Sequence, residues 1–294
     1  MEKFNGKASR LSWELFKRTG NINYYLLYKG IENAPEIEQN NYADRDDGRG
    51  MWFVMEQTKV KAIVLSNSDY KEKDILATLF TLEQGIVNVV FKGVKNANAK
   101  LKSAKELFTF GDFIFADGVQ KTITSAYVLE NFYDLTKNLN AYYSACNVAK
   151  IILTVLPKGE TSPQLFVDTL KCLDLLAENS LNPQMILNKF LIRVFEGFGY
   201  RFNLNKCSSC GASFVYKRYI NLNDGDITCP NCKMGSVSEL SNAEYQALRL
   251  LSATDYDKLS TLKISSEVMS RVLKILYQNF EHRFNQKLQE VWFK

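Results

Sequence analysis

Two Cys-x-x-Cys pairs, Cys207-Ser-Ser-Cys210 and Cys229-Pro-Asn-Cys232, constrain this chain more than any other feature. The 18 residues between Cys210 and Cys229 fall in the spacing window of four-thiolate zinc sites. A two-residue spacer lets both thiolates of a tight turn point at one ion, and two such turns supply a closed tetrahedral shell. Gly211 follows the first pair, where backbone N–H groups can fold back toward the sulfurs, and Pro230 stiffens the second turn. Between the pairs, Phe214-Val215-Tyr216 and Arg218 to Leu222 read as strands, and Asn223-Asp224-Gly225-Asp226 reads as a hairpin turn. The expectation is a zinc ribbon over 207–240. Two disulfides or a redox pair are the competing readings. An intracellular setting opposes the first, and the lack of a surrounding βαβ unit opposes the second. Four cysteines leave no coordination position for water or substrate, so one structural zinc ion is expected.

Other chemistries are excluded by what the chain lacks. Its one histidine, His282, rules out any site built on two imidazoles within one chain. No GxSxG accompanies it for a serine triad, and neither a Walker-type phosphate loop nor a GxGxxG is present. The acids are scattered, with no DxD or ExK in a strand context to hold magnesium. Cys146 and Cys172 stand alone in apolar helical contexts and read as small buried hydrophobes. A chain of 294 residues, 46% hydrophobic and 23% charged, has the composition of a folded protein with room for two domains. No apolar run approaches the ~20 residues of a membrane span, and MEKFNGKASR lacks an apolar signal region, so a cytoplasmic place without membrane partners is expected.

The fold class expected is α+β and multidomain: an OB-type β-barrel followed by an α-helical domain with the ribbon inserted. Residues 1–32 read as a short helical extension and the polar, Pro/Gly-punctuated 33–54 as a flexible linker. Over 55–133, short β-rich runs near 59–65, 74–81, 85–91, 107–110, 112–115 and 122–129 suggest a small barrel. From 134 to 294 the period is helical: segments near 139–156, 162–179 and 182–198, a capping-box start at Ser241-Asn242-Ala243-Glu244, and a long pattern from Ser265 to about Phe293.

The net charge of +5 is concentrated at one place in the barrel. Lys92, Lys95, Lys100, Lys102 and Lys105 fall within fourteen residues that contain no acid. The residues between them are mainly Gly, Asn, Ala and Ser, so the stretch reads as a mobile loop between strands. Lysines at that density can follow a phosphate backbone, and Phe91, Phe108 and Phe110 are candidates to stack on bases, although strand aromatics more often pack inside.

Several of these stretches resemble the recombination mediator RecO family. Ala62-Ile63-Val64-Leu65 through Asp69-Tyr70-Lys71-Glu72-Lys73-Asp74 is similar to that family's first strand and turn. Phe80-Thr81-Leu82-Glu83-Gln84-Gly85-Ile86 and Phe91-Lys92-Gly93-Val94-Lys95 resemble its next strand and basic loop. The most specific stretch is Phe195-Glu196-Gly197-Phe198-Gly199-Tyr200 running into Leu204-Asn205-Lys206-Cys207-Ser208-Ser209-Cys210-Gly211. The likeness covers about residues 55–294. It implies a non-enzymatic DNA-repair protein that binds single- and double-stranded DNA and anneals complementary strands. It also implies action with RecR to load RecA onto DNA coated by single-strand-binding protein, whose acidic C-terminal tail such proteins contact, and a nucleoid-associated location. By position, Lys92 and Lys95 carry over as DNA contacts, then Lys100 and Lys102, with Tyr70 and Lys71 after them. Two other classes compete: an accessory of a nucleic-acid-processing enzyme, and a transcription or translation factor built from barrel and ribbon. Trp13, Phe16 and Thr19-Gly20-Asn21-Ile22 through Tyr25-Leu26-Leu27-Tyr28-Lys29 resemble the YqzL-like proteins instead, so the expectation is two joined reading frames or an upstream start, with Met55 as the natural beginning of the RecO-like part.

Overall fold

The computed structural model describes residues 57–214 and 217–288. The expected extension at 1–32, the linker at 33–54 and the strand end at 215–216 lie outside the described residues. The chain divides into two compact units. Among the described residues, one takes 57–131 together with Leu156–Pro163, and the other holds Phe132–Val155 and the described residues from Gln164 to 288.

The first unit is built from β1 (Gln57–Asp69), β2 (Ile75–Thr81), β3 (Gly85–Phe91), β4 (Phe110–Ala116) and β5 (Thr122–Glu130), closed in the order β1-β2-β3-β5-β4. β1 serves two neighbours: residues 57–63 pair with β4, and residues 62–69 pair with β2. A register shift between Val64 and Ser66 bends it between them, the usual device for turning a strand around a corner. The seam is one parallel pair, Val90 with Thr122. Alternate residues point inward, as period-2 strands require, so Val60, Ala62, Leu79, Val89, Phe91 and Phe113 share one core. Phe91 and Phe113 meet edge to face at 6.4 Å.

β4 is buried at every position, including the carboxylate of Asp112. That charge is held by Lys61 Nζ at 2.8 Å and Lys59 Nζ at 3.2 Å. Glu83, in the β2–β3 turn, accepts the Lys61 backbone N–H, and burial pushes its carboxyl above the usual range against that bond. Gly85 closes the same turn at φ +68°, and a Cβ there would lie 1.8 Å from the carbonyl oxygen of Glu160. The structure departs from the sequence reading at Leu107–Phe110. Phe108 takes a left-handed φ of 66° and donates its N–H to Val64 O at 2.8 Å, so a single strand begins only at Phe110.

The second unit contains α1 (Leu139–Val155), α2 (Pro163–Glu178), α3 (Pro183–Gly197), α4 (Asn242–Ala253) and α5 (Ser266–Phe284), with 3-10 turns at Tyr133–Lys137 and Tyr256–Thr261. Asn182 caps α3 by accepting from Gln184 N at 2.9 Å, with Pro183 in the first turn. Ser241 and Glu244 form the expected capping box at α4. α3 is buried on nearly every side, and its polar residues bind neighbouring backbone. Asn188 Nδ2 donates to Met269 O at 3.0 Å and Lys189 Nζ to Leu251 O at 2.9 Å. Burial draws the Lys189 ammonium below its ordinary pKa, opposed by the nearby carboxylate of Glu196. α5 stops at Phe284, with Asn285 in the left-handed region at φ 49°, short of the terminus expected near Phe293. Cys172 is buried as expected, whereas Cys146 is only half-buried.

Removing the Asp112 carboxylate leaves two lysine ammoniums without their shared anion beside a packed strand. Asp112→Ala should destabilise the barrel by about 2–3 kcal/mol, below the usual loss for a broken buried pair because Lys59 reaches solvent. Denaturant midpoints measure this, with Asp112→Asn expected to lose less.

Candidate metal centre and nucleic-acid interface

The ribbon is a three-stranded sheet in the order β7-β6-β8, from β6 (Arg218–Asn221), β7 (Ile227–Thr228) and β8 (Val237–Leu240). β8 has no counterpart in the sequence reading. It brings the chain back along β6 through four pairs, from Arg218 with Leu240 to Asn221 with Val237. β7 leads directly into Cys229, and Ser208 N donates to Ile227 O at 2.9 Å, which draws the two cysteine turns together. Each turn closes on itself, Gly211 N to Cys207 O at 2.9 Å and Cys232 N to Cys229 O at 3.1 Å.

The result is one cluster: the sulfurs of Cys207, Cys210, Cys229 and Cys232 all lie within 4.8 Å of one another. Cys210 and Cys229 Sγ are 3.9 Å apart, close to the ~3.8 Å edge of a tetrahedron with 2.3 Å metal–sulfur bonds. The donor set therefore fits a metal ion. Burial opposes ionisation at Cys207, yet backbone N–H groups of Cys210, Cys229 and Ser209 outweigh it and bring the thiol down to about 6. Cys232 is held up to about 12 by hydrogen bonding with Cys210 and Cys229, because adjacent thiols cannot all ionise without a cation among them.

The hairpin turn at 222–226 seats the ribbon on α5. Asn279 Nδ2 donates to Leu222 O at 3.1 Å, and Gly225, at φ +74°, passes so close that a Cβ would stand 2.4 Å from Asn279 Oδ1. Arg283 lies over the Tyr200 ring at 4.2 Å. Arg218 in β6 stacks on Tyr245 of α4 at 3.9 Å.

The basic loop is not the mobile finger its composition suggests. Residues 92–109 run as consecutive turns, including Asn96 N to Gly93 O at 3.1 Å and Ala104 N to Leu101 O at 3.1 Å. Val94 and Ala104 are buried in the barrel core, with Ala99 and Leu101 packed against it. Apolar residues between the lysines therefore anchor the loop. Phe91, Phe108 and Phe110 are buried too, so none of the three offers a ring to a base.

The loop meets the β1–β2 turn. Gly93 N donates to Asp74 Oδ1 at 2.8 Å, Lys95 N to Lys73 O at 3.2 Å, and Lys95 Nζ reaches Lys71 O at 3.4 Å and Asp69 at 2.8 Å. Lys71, Lys73, Lys92 and Lys95 are thereby gathered at one end of the barrel, with Lys71 at 5.4 Å from the centre of the exposed Tyr70 ring. Lys92, Lys100 and Lys102 are exposed, and no ion pair engages them or Lys71 among the described residues. Lys105 differs: its ammonium pairs with Glu106 and its side chain is 16% exposed. Lys73 is not among the cations singled out from the sequence, although its spacing from Lys71 in a polar turn is legible there.

Models of known families match nearly the whole described chain. The C-terminal part of recombination protein O matches residues 136–290, and its N-terminal part matches residues 55–132. The chain belongs to the recombination protein O family. The lysines of the β1–β2 turn and of the basic loop lie in the family's N-terminal part and the four cysteines in its C-terminal part. A DNA repair protein RecO from Clostridium novyi (strain NT) is 25% identical over 230 residues, covering 78% of this chain and 90% of that protein. One from Desulforamulus reducens is 26% identical over 239 residues, covering 80% and 93%. Residues 10–47 match the YqzL-like proteins.

Asn279→Ala should loosen the ribbon from α5 without dispersing the sulfurs. Hydrogen exchange is expected to accelerate at 218–228 while metal content stays unchanged; loss of both together would show that seating and assembly of the cluster are one event.

Proposed function

We propose that this protein is a non-catalytic mediator of DNA repair that grips single- and double-stranded DNA through the lysines at the β1–β2 end of the barrel. In this reading it anneals complementary strands, and it assists RecR in loading RecA onto DNA coated by single-strand-binding protein, whose acidic C-terminal tail it contacts. The observation that carries the reading is the juxtaposition of Lys71, Lys73, Lys92 and Lys95 on two turns that are bonded to each other. A phosphate backbone is bound by such a set through counterion release, which needs fixed cations and no reacting group. Lys95 takes part although it pairs with Asp69, because an exposed ion pair is worth roughly 0–1 kcal/mol and phosphate can displace the carboxylate. Lys105 does not take part. The exposed face of Tyr70 is the available stacking surface.

Kinship with proteins named for DNA repair supports the same reading. So does the placing of His282, exposed in the last turn of α5 with no other imidazole in the chain. The four thiolates are assigned to one structural zinc ion, which would hold the ribbon closed while the chain's own turns aim the sulfurs.

Two measurements test this reading. Strand annealing should proceed without nucleotide or magnesium; magnesium-dependent cleavage would favour an enzyme accessory, and neither activity a transcription or translation factor. Replacing Lys71, Lys73 and Lys92 together with alanine should flatten the log–log salt dependence of single-strand binding by about 2, at about 0.7 per phosphate contact. Lys105→Ala should leave the slope unchanged.

Stripping zinc from the native protein should unfold residues 207–240, since such sites supply roughly 10–16 kcal/mol of apparent binding energy to local folding. Far-ultraviolet helix signal from the second unit is expected to survive, and sheet protection in the ribbon to vanish.

A further inference from the structure

α1 packs against α5, where Asn147 Nδ2 donates to Tyr277 Oη at 3.0 Å. From its second turn onward, the residues of α1 that stay unburied are Tyr143, Cys146, Lys150, Leu153 and Thr154. Tyr143 is 44% exposed and Leu153 39%. Lys150 and Thr154 are both engaged: Thr154 Oγ1 donates to Lys150 O at 2.8 Å, and Lys150 Nζ to Lys287 O at 2.8 Å. A tyrosine ring, a thiol and a leucine are left to solvent, where the outward face of a helix is ordinarily polar.

The Lys150 bond shows where the chain runs after α5. The helix stops at Phe284, Asn285 turns in the left-handed region, and by Lys287 the backbone lies against the middle of this face. Leu288 is already buried. Gln289-Glu290-Val291-Trp292-Phe293-Lys294 follows in the sequence, with three large apolar residues in a row. Six extended residues reach about 20 Å. Along α1, Lys150 stands about 10 Å from Tyr143 and about 5 Å from Leu153. Both apolar side chains are therefore within reach of 291–293 from Leu288.

We propose that Val291-Trp292-Phe293 of the same chain is the occupant of this face, folding back over Lys150 to cover Leu153, Cys146 and Tyr143. The segment and its seat are already tied through Lys287, so closure orders only a short loop. A second copy would first have to displace Lys287 from the middle of the face. Nucleic acid finds no free cation there, because the ammonium of Lys150 is held by Lys287 O. The inference is independent of the DNA reading.

Cys146 reports on the cover. Cys172 is buried and the cluster thiols are held in the zinc-loaded protein, so a monofunctional maleimide added to the full chain reads Cys146. Trp292→Ala with Phe293→Ala should raise its labelling rate by about ten-fold or more, the scale set by undocking two aromatic side chains. Leu153→Asp should raise the rate from the other side of the contact, with helix content unchanged. A reagent that joins a thiol to an amine should link Cys146 to Lys294 within one chain, read in a mixture of isotopically light and heavy protein. A labelling rate that the double variant leaves unchanged would overturn the proposal, as would absence of the link. A link found between light and heavy chains would make a second copy the occupant and equally refute it. So would protection of Cys146 that appears only when another protein is added.

Discussion

The bond between the β1–β2 turn and the loop after β3 is the constraint on which the charged face depends. Five lysines in a freely moving loop would lose side-chain and backbone entropy on meeting a phosphate chain, at about 1–2 kcal/mol per ordered residue. In the proposed reading, much of that ordering is done before DNA arrives. Val94 and Ala104 are sunk in the barrel core, Asp74 accepts the Gly93 N–H, and Lys73 O accepts that of Lys95. The backbone that carries the cations is held by apolar anchors and backbone bonds, and the lysine side chains are exposed to solvent. Preorganisation of this kind improves affinity without adding contacts.

The second unit uses the same logic with different chemistry. Its central helix α3 carries Asn188 and Lys189 where a purely apolar helix would pack as densely. Each binds a carbonyl in a neighbouring helix, Met269 in α5 and Leu251 in α4, and those bonds set the register of the helices around it. α5 then offers Asn279 to the ribbon, so the cluster of thiols is attached to a helix whose own position is fixed by α3. A metal in the ribbon would close the ribbon, while its seat is provided by the helices.

Much of this was legible in the residues. Period-2 runs located the strands, Ser241 with Glu244 marked a helix start, and the cysteine spacing alone located the sulfur cluster, because local turn geometry dictates where those thiols point. The errors fall where long-range contacts decide. The loop at 92–106 looked mobile because its small residues gave no sign that Val94, Leu101 and Ala104 are covered from below. Phe108 has the residue pattern of a strand, but its bond to Val64 O accompanies a left-handed conformation. The return strand β8 has too little alternation to be seen without β6 beside it.

The central claim is that DNA lies on the pair of bonded turns at one end of the barrel. It is tested most directly by following backbone amide resonances of the full chain as a short single-stranded oligonucleotide is added at low salt. The account predicts that the largest shifts fall in 69–74 and 92–102, with 105–106 and the buried core strands little changed. Shifts confined to the second unit, with the two turns silent at saturation, would contradict it.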